Sequence, residues 1–236
     1  MIIKDLPDKQ WSLIHTLNGQ LILELKNLLG KELRWNHKEW IITVLVLQRA
    51  IKETEEAVLK TSSTMLNGRI FDAKEKTDLK KGVGDLNRIV PLVNSFAGYC
   101  IRSGSILWAD DIENHPLREE YRRYEYVNIH PDRKFIAEYV FPIRVKVGLN
   151  QTVVGALNLE TSREENEFKK AGPHRISEIV LRLLDIHGPF LLLSEAVMAD
   201  ENVNESLLET HKKVLESTAF NVTKAKAFRV AEGGYE

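Results

Sequence analysis

The sequence predicts an α+β protein in which antiparallel β-hairpins and amphipathic helices share a core. The clearest observation is the stretch Glu138 to Glu160, where two apolar runs rich in β-branched residues flank the turn-forming segment Gly148 to Gln151. A second pair of strand-like runs lies nearer the start of the chain, and long helical patterns lie towards both ends. Hairpins and helices in separate blocks are typical of the α+β class.

The 138–160 hairpin is predicted to have one apolar face and one mixed face. In its first run, apolar residues recur at every second position from Tyr139 to Val147 and share a face. In its second run, the residues expected on the apolar face are Val153, Leu157 and Leu159, and those expected on the mixed face are Val154, Ala156, Asn158 and Glu160. A helix over the mixed face would bury Asn158 and Glu160, which would then need hydrogen-bond partners.

The first half of the chain predicts a helix, a hairpin and a second helix. Apolar residues three or four apart predict an amphipathic helix from Pro7 to Leu29, ended by Gly30, with a kink possible at Asn18 and Gly19. Strands are predicted at Trp40 to Gln48 and Ala57 to Met65, although Ile51 to Leu59 is also compatible with a helix. Further expectations are a turn at Asn67 and Gly68 and a short helix at Asp72 to Lys81.

The segment Arg88 to Ile112 predicts an extended entry to Pro91, a helix from Asn94 or Ser95 to Gly104, and a strand from Ser105 to Ala109. A helix capped by Asn114 is expected next, forming a lid whose apolar face carries Leu117, Tyr121 and Tyr124. Towards the end, His174 to Ala196 is predicted to be helical, with a break or a kink at Gly188 and Pro189. Asn204 to Phe228 shows a short heptad-like pattern. We therefore divide the chain into a domain with flanking helices at 1–199 and a C-terminal helical extension with a flexible tail at 200–236.

Composition narrows the class of protein. The chain has 236 residues, a formal net charge of −1 and a pI near 6.7, so no broad attraction to nucleic acid or to anionic membranes is expected. Its apolar runs are shorter than the roughly 20 residues of a membrane-spanning helix. The single Cys100 cannot form an intramolecular disulfide, and the charged first residues lack the apolar core of a secretion signal. We expect a cytoplasmic protein.

Three places in the chain resemble the GAF family of small-molecule sensor domains. The stretch PLVNSFAGYCIRSGSILWADDI, from Pro91, matches the family's extended entry, glycine-containing helix and strand ending in aspartate, with Asp111 at the aspartate position. Phe141, Pro142 and Ile143 match the family's hydrophobic-Pro-hydrophobic strand, and GALNL from Gly155 matches its last strand. The resemblance implies a central antiparallel sheet with helices on both faces, with N- and C-terminal helices added here.

The resemblance also helps to exclude ligands and activities. The Asn-Lys dipeptide that begins the cyclic-nucleotide set of some relatives is absent from the sequence, and Cys100 lacks the adjacent histidine of bilin-binding relatives. Relatives that reduce free methionine sulfoxide use several cysteines, whereas one thiol cannot both attack the sulfoxide and resolve the product as an internal disulfide. A buried structural thiol is expected for Cys100. No nucleophile elbow or phosphate loop is present, so we predict no enzyme activity.

The polar side chains give few other leads. The seven histidines are dispersed in the sequence and are expected in surface or capping positions, with His130 retained as a possible haem or metal ligand. Asp110 and Asp111 could act as an acid and base pair, but adjacent residues on a strand point to opposite sides, which argues against a shared proton. Asp111 is instead expected to cap the following turn.

The predicted function is that of a regulatory protein which binds an unidentified small molecule between sheet and lid. It would report occupancy through its terminal helices to a separate output protein, as a homodimer. The residues predicted to line the ligand site are Tyr99, Arg102, Trp108, Asp111, Tyr121, Tyr124, Tyr126, Tyr139, Phe141 and Asn158. Two alternatives stay open: the aromatic residues fill an ordinary core, and the protein is a ligand-free interaction or dimerisation scaffold. No cofactor is assigned.

Overall fold

A seven-stranded antiparallel sheet forms the centre of the structure, a computed structural model that describes residues 8–49, 57–66, 69–72, 89–92, 95–117, 135–196 and 201–231. The strands are β1 (Trp40–Arg49), β2 (Ala57–Leu66), β3 (Arg69–Asp72), β4 (Ile89–Pro91), β5 (Leu107–Ala109), β6 (Ala137–Val147) and β7 (Asn150–Thr161). Their order across the sheet is β3-β2-β1-β7-β6-β5, and β4 pairs with β2 on the same edge as β3. The two predicted hairpins are therefore joined through β1 and β7 at the centre.

Helices cover both faces of this sheet. They are α1 (Asp8–Leu33), a short 3-10 turn (His37–Glu39), α2 (Phe96–Ser103), α3 (Glu167–Ala171), α4 (Pro173–Ala196) and α5 (Glu201–Ala231). Helices α1 and α4 pack on one face and are joined there by α5, whereas α2 packs on the other face. The predicted α+β architecture, a central antiparallel sheet with helices on both faces, is confirmed. None of the described helices combines the length and apolar character that a bilayer crossing requires.

Strict alternation along β6 creates two hydrophobic clusters. Tyr139, Phe141 and Ile143 belong to the main cluster with α1 and α4, while Val140 belongs to the second cluster with α2. Both faces of the hairpin are thus covered, which explains why its second face contains apolar as well as polar residues.

A β-bulge changes the faces of β7. Ile143 pairs with Gly155 but Arg144 pairs with Val153, so Val154 is the extra residue. The prediction that Val153 shares a face with Leu157 and Leu159 is wrong, because one inserted residue moves everything before it to the opposite face. Val153 packs on the second cluster and Val154 on the main one.

The predicted N-terminal helix is confirmed, but its end is not. Helix α1 passes through Gly30 and continues to Leu33, after which Arg34 has a left-handed φ of 55°. The helix is also continuous at Asn18 and Gly19. Burial of its apolar stripe outweighs a cost of about 1 kcal/mol for each interior glycine.

The first hairpin is confirmed, with Ala57 to Leu66 paired to β1, and the helical alternative is wrong for the described part, residues 57–59. Strand β3 was missed, and Asp72 is its last residue. The predicted turn at residues 67–68 and the rest of the predicted helix at 73–81 lie outside the described residues.

The segment around α2 forms as predicted. The Ser95 hydroxyl accepts a hydrogen bond from the Gly98 amide at 2.9 Å and begins the helix, and Gly104 ends it with a φ of 65°. Strand β5 follows at Leu107, two residues later than expected.

Of the break or kink predicted at Gly188 and Pro189, the break does not occur, since α4 is one helix across both residues. Gly188 lies against the backbone carbonyl of Arg144 on β6. Apolar residues before and after this point are buried on the sheet, and their burial offsets the hydrogen bond that the proline ring removes. Helix α5 contains the predicted heptad pattern and buries His211, Leu215 and Ala219.

Candidate functional site

Buried polar side chains lie on the α2 side of the sheet, on four adjacent strands. We call them the polar face; its members are Thr43, Thr64, Glu138, Asn158 and Glu160. The register brings them together, because Asn158 is paired with Val140 on one side and with Thr43 on the other, and Thr43 is paired with Thr64. Val140 belongs to the second hydrophobic cluster with α2, which fixes the side on which this row lies.

Two glutamates form the next cross-strand pair on the same side of the sheet. Glu138 and Glu160 are direct cross-strand partners on β6 and β7, two residues from Val140 and Asn158 respectively. Both side chains are almost fully buried, and both have further interactions within the protein. Adjacent carboxyl groups at one point of a sheet make this face rich in hydrogen-bond acceptors.

Asn158 is a member of the polar face whose side-chain hydrogen bonding is incomplete. Its side-chain Nδ2 donates to Glu160 Oε1 at 3.2 Å. Its Oδ1 is buried and has no hydrogen-bond partner among the residues that the structure describes, although the residue is only 8% exposed. A buried acceptor without a donor costs on the order of 1–3 kcal/mol, so this atom indicates a missing donor.

Cys100 of α2 packs beside the polar face as a structural thiol, as predicted. Its sulfhydryl group donates to the Val140 carbonyl at 3.7 Å, and the side chain is fully buried. Burial raises the pKa of the Cys100 thiol to about 12, with Arg144 acting to lower it and Glu138 to raise it. The thiolate needed for nucleophilic or redox chemistry is therefore disfavoured.

We expect Cys100 to resist a disulfide-exchange reagent in the native protein at pH 8, because both burial and the raised pKa suppress the thiolate. The absorbance released by an aromatic disulfide reagent should stay near zero until denaturant is added, and should then correspond to one thiol. Complete reaction of the native protein within minutes would contradict this placement.

Three of the predicted pocket aromatics lie on the opposite side of the sheet. Trp108, Tyr139 and Phe141 point towards α1 and α4, so the prediction that they share a face with Tyr99 is wrong. They form an aromatic cluster whose members are Trp35, Trp40, Trp108, Tyr139, Phe141 and Phe168, with ring centroids of neighbouring pairs 4.3 to 6.4 Å apart. These rings fill the main core, as the alternative interpretation expected.

Tyr139 also has its polar end satisfied within that core. Its hydroxyl donates to Asp110 Oδ1 at 2.7 Å and contacts Asn166 Oδ1 at 3.3 Å. Burial raises the pKa of the Tyr139 hydroxyl, and the hydrogen bond to Asp110 raises it further. Asp110 accepts from Trp108 Nε1 as well, so it links two members of the aromatic cluster.

The other predicted site residues are dispersed. Asp111 is exposed and caps the turn as predicted, accepting from the Glu113 and Asn114 amides at 3.0 and 3.2 Å. Arg102 is exposed on α2, and Tyr99 packs against the second hydrophobic cluster. The lid residues Tyr121, Tyr124 and Tyr126, together with His130, lie outside the described residues. Of the predicted set, the polar face contains Asn158 alone.

The expectation that the histidines lie in surface or capping positions holds for His115, whose Nδ1 accepts from the Leu117 amide, but is wrong for others. His15, His187 and His211 are buried. His187 Nδ1 lies 3.0 Å from His211 Nε2, and Asn18 and Gln20 of α1 contact the outer ring nitrogens at 2.7 and 2.6 Å. We call Asn18, His187, His211 and Gln20 the histidine chain. No cluster of three or more metal-ligating side chains occurs among the residues that the structure describes.

Comparison of the sequence with family profiles and with curated proteins found no match. Three solved structures are similar in fold. The GAF domain of an Acinetobacter phosphoenolpyruvate-protein phosphotransferase has 8% identity and a TM-score of 0.47, over 78% of this chain and 97% of that one. A GAF domain region from Geobacter sulfurreducens has 16% identity and a TM-score of 0.38, over the same shares. A type II free methionine-R-sulfoxide reductase from Thermoplasma acidophilum has 14% identity and a TM-score of 0.43, over 75% of this chain and 94% of that one. These similarities assign neither a ligand nor a reaction to this chain.

Proposed function

We propose that this chain is a non-catalytic regulatory module that binds a small molecule on the polar face of its sheet. The observation that carries the proposal is Asn158 Oδ1, a buried acceptor without a partner among the described residues. Asn158 is one of five buried polar residues on the same side of the sheet as the second hydrophobic cluster. Burying polar groups there is a costly arrangement for a core that only needs to be stable.

Binding of the ligand would affect the helices through strands β6 and β7. These strands present the polar face on one side and the main hydrophobic cluster on the other, where α1 and α4 pack. A ligand that binds one arrangement of β6 and β7 more tightly than another shifts the population towards it. Because α5 packs on both α1 and α4, the shift would be available to a separate output protein.

Native mass spectrometry of the freshly purified protein tests this proposal. We expect an added mass of small-molecule size under mild ionisation that is lost on denaturation. Amide hydrogen exchange should fall in β6, β7 and α4 when the retained molecule is restored to stripped protein. An unmodified mass in repeated preparations, together with unchanged exchange across a metabolite panel, would contradict the proposal.

A ligand-free scaffold that dimerises through its helices is the second candidate. It is favoured by apolar side chains that are exposed on α1, α4 and α5, namely Leu23, Leu193, Val203, Val214 and Phe220. Phe220, at 66% exposed, is the most exposed of these five residues. A monomeric mass by light scattering at micromolar concentration would contradict this homodimer.

A further inference from the structure

We infer that the molecule bound at the polar face carries a primary carboxamide or a lactam, whose N–H and C=O groups pair with the side-chain amide of Asn158. This inference rests on the proposed function, since it names the chemistry of the ligand at that same face. The hydrogen bonding of Asn158 and the apolar residues beside it support the assignment.

The Asn158 side chain is a planar amide with unused hydrogen-bonding capacity. Its Oδ1 can accept hydrogen bonds through two lone pairs, and its Nδ2 carries two hydrogens to donate. Among the residues that the structure describes, Nδ2 donates to Glu160 Oε1 at 3.2 Å and Oδ1 has no partner. The acceptor and one N–H of the same amide therefore stay available, on a side chain that is only 8% exposed.

A group that pairs with both atoms must offer a donor beside an acceptor in one plane. An ammonium group only donates, a carboxylate only accepts, and a hydroxyl group has one oxygen for both tasks. A primary carboxamide or a lactam holds its N–H and its C=O side by side, so it can form two hydrogen bonds with an asparagine amide at once. Such a pair needs no charge on either partner. It is therefore independent of Glu138 and Glu160, which have further interactions within the protein.

The carbon skeleton of such a ligand has apolar residues to contact. Val140 is the cross-strand partner of Asn158, and Ala156 precedes Asn158 by two residues on the same strand. Both belong to the second hydrophobic cluster, to which α2 contributes Ala97 and Cys100. A molecule with one amide edge and an apolar ring or chain matches these surroundings, because ligand sites combine apolar walls with a few polar groups that fix orientation.

A matched probe series tests the donor–acceptor pair. We would use δ-valerolactam and benzamide, with N-methyl-δ-valerolactam and N,N-dimethylbenzamide, which keep the C=O group and lose the N–H groups. Piperidinium and benzylammonium would serve as cationic probes with similar rings. Saturation-transfer NMR titrations should show that the two unmethylated amides bind about tenfold or more tighter than the other four probes, because each of those lacks one partner of the pair.

Two variants of the polar face complete the test. Asn158→Leu removes the amide, so it should weaken the binding of both unmethylated amides by at least about tenfold. Thr43→Val is the matched control, because it removes a neighbouring hydroxyl group that lies 3.5 Å from Thr64 Oγ1, and it should keep the wild-type affinities. Cooperative urea unfolding would show that each variant is folded. If Asn158→Leu does not fold, the probe series on the wild type decides the inference.

The outcomes distinguish this inference from the function on which it rests. Equal binding of methylated and unmethylated amides, tighter binding of the ammonium probes, a retained molecule without such an amide, or full affinity in Asn158→Leu would overturn the amide inference and leave the regulatory ligand in place. An equal loss of affinity in Thr43→Val would overturn it too, since the loss would then not be specific to the amide. If no molecule is retained and none of the six probes binds, the proposed function fails as well.

Discussion

Replacing Gly188 with alanine should lower the free energy of unfolding by about 3 kcal/mol, the upper range for overpacking a well-packed interior. Gly188 is the point at which α4 meets the sheet. A Cβ built there would collide with the backbone carbonyl oxygen of Arg144 on β6, and would lie 3.1 Å from Val145 Cγ2. The atom in the way is backbone in the middle of a sheet, so the helix would have to move instead.

A second helical glycine supplies the control. Gly30 lies inside α1 with no atom within 4 Å of its built Cβ, so Gly30→Ala should raise the free energy of unfolding by about 0.5–1 kcal/mol through helix propensity alone. Equilibrium urea unfolding followed by circular dichroism would measure both variants. Equal changes for the two, or a stable Gly188→Ala protein, would show that α4 does not depend on this close approach.

The elements that could be predicted from the sequence are those whose evidence is local. The alternation of Tyr139, Phe141 and Ile143 indicated a strand without any knowledge of its neighbours, and Ser95 and Gly104 marked both ends of α2. A helix stripe or a strand face depends only on spacing within a few residues, so the chain itself carries the information.

The elements that were predicted wrongly are those whose structure depends on tertiary contacts. The bulge at Val154 depends on how β7 pairs with β6, which spacing along one strand does not show. Gly188 and Pro189 suggest a break by themselves, yet the packing of α4 on β6 keeps the helix continuous. Propensity is a weak prior that burial on both sides of such a point can outweigh.

The candidate site likewise contains residues that could be predicted from the sequence and residues that could not. Asn158 and Glu160 could be identified as polar residues that a covering helix would bury, because they interrupt an apolar strand. Glu138 gave the same signal at the start of β6, but its pairing with Glu160 depends on the register. The aromatic residues were misassigned because sequence shows which residues share a face and does not show which helices cover that face.

The histidine chain could not be found from spacing, because its members come from three helices far apart in sequence. Asn18 and Gln20 lie on α1, His187 on α4 and His211 on α5. Gln20 Nε2 also donates to the Leu208 carbonyl of α5 at 3.4 Å. Asn18, which together with Gly19 had suggested a kink in α1, thus helps to tie the three helices together.

Acidification should therefore destabilise the fold through the histidine chain. Burial lowers the pKa of His211 to about 4, against an ordinary value of about 6.5. Burial also lowers the pKa of His187, and the neighbouring His211 lowers it further. The unfolded chain then binds more protons than the folded one between these values. Stability is fully present above pH 6.5 and is lost as the pH falls towards 4. For His211 alone, the loss at pH 5 relative to pH 7.5 is about 2 kcal/mol.

Another group at the same helix interface acts in the opposite direction. Burial raises the pKa of Glu24 on α1, and the charge of Glu216 on α5 raises it further, so protonation of Glu24 stabilises the folded state on acidification. A single pH profile would therefore mix the two effects. Only a difference between variants isolates the contribution of the histidines.

Urea unfolding at pH 7.5 and pH 5 would compare the wild type with His211→Gln and with His174→Gln, an exposed position on α4. We expect His211→Gln to be less stable at pH 7.5, since its ring contacts to His187 and Gln20 are lost, and to lose about 2 kcal/mol less than the wild type on acidification. The His174→Gln variant should follow the wild type at both pH values. If His211→Gln loses as much stability as the wild type between the two pH values, His211 does not titrate with a lowered pKa and has no part in the acid sensitivity of the helices.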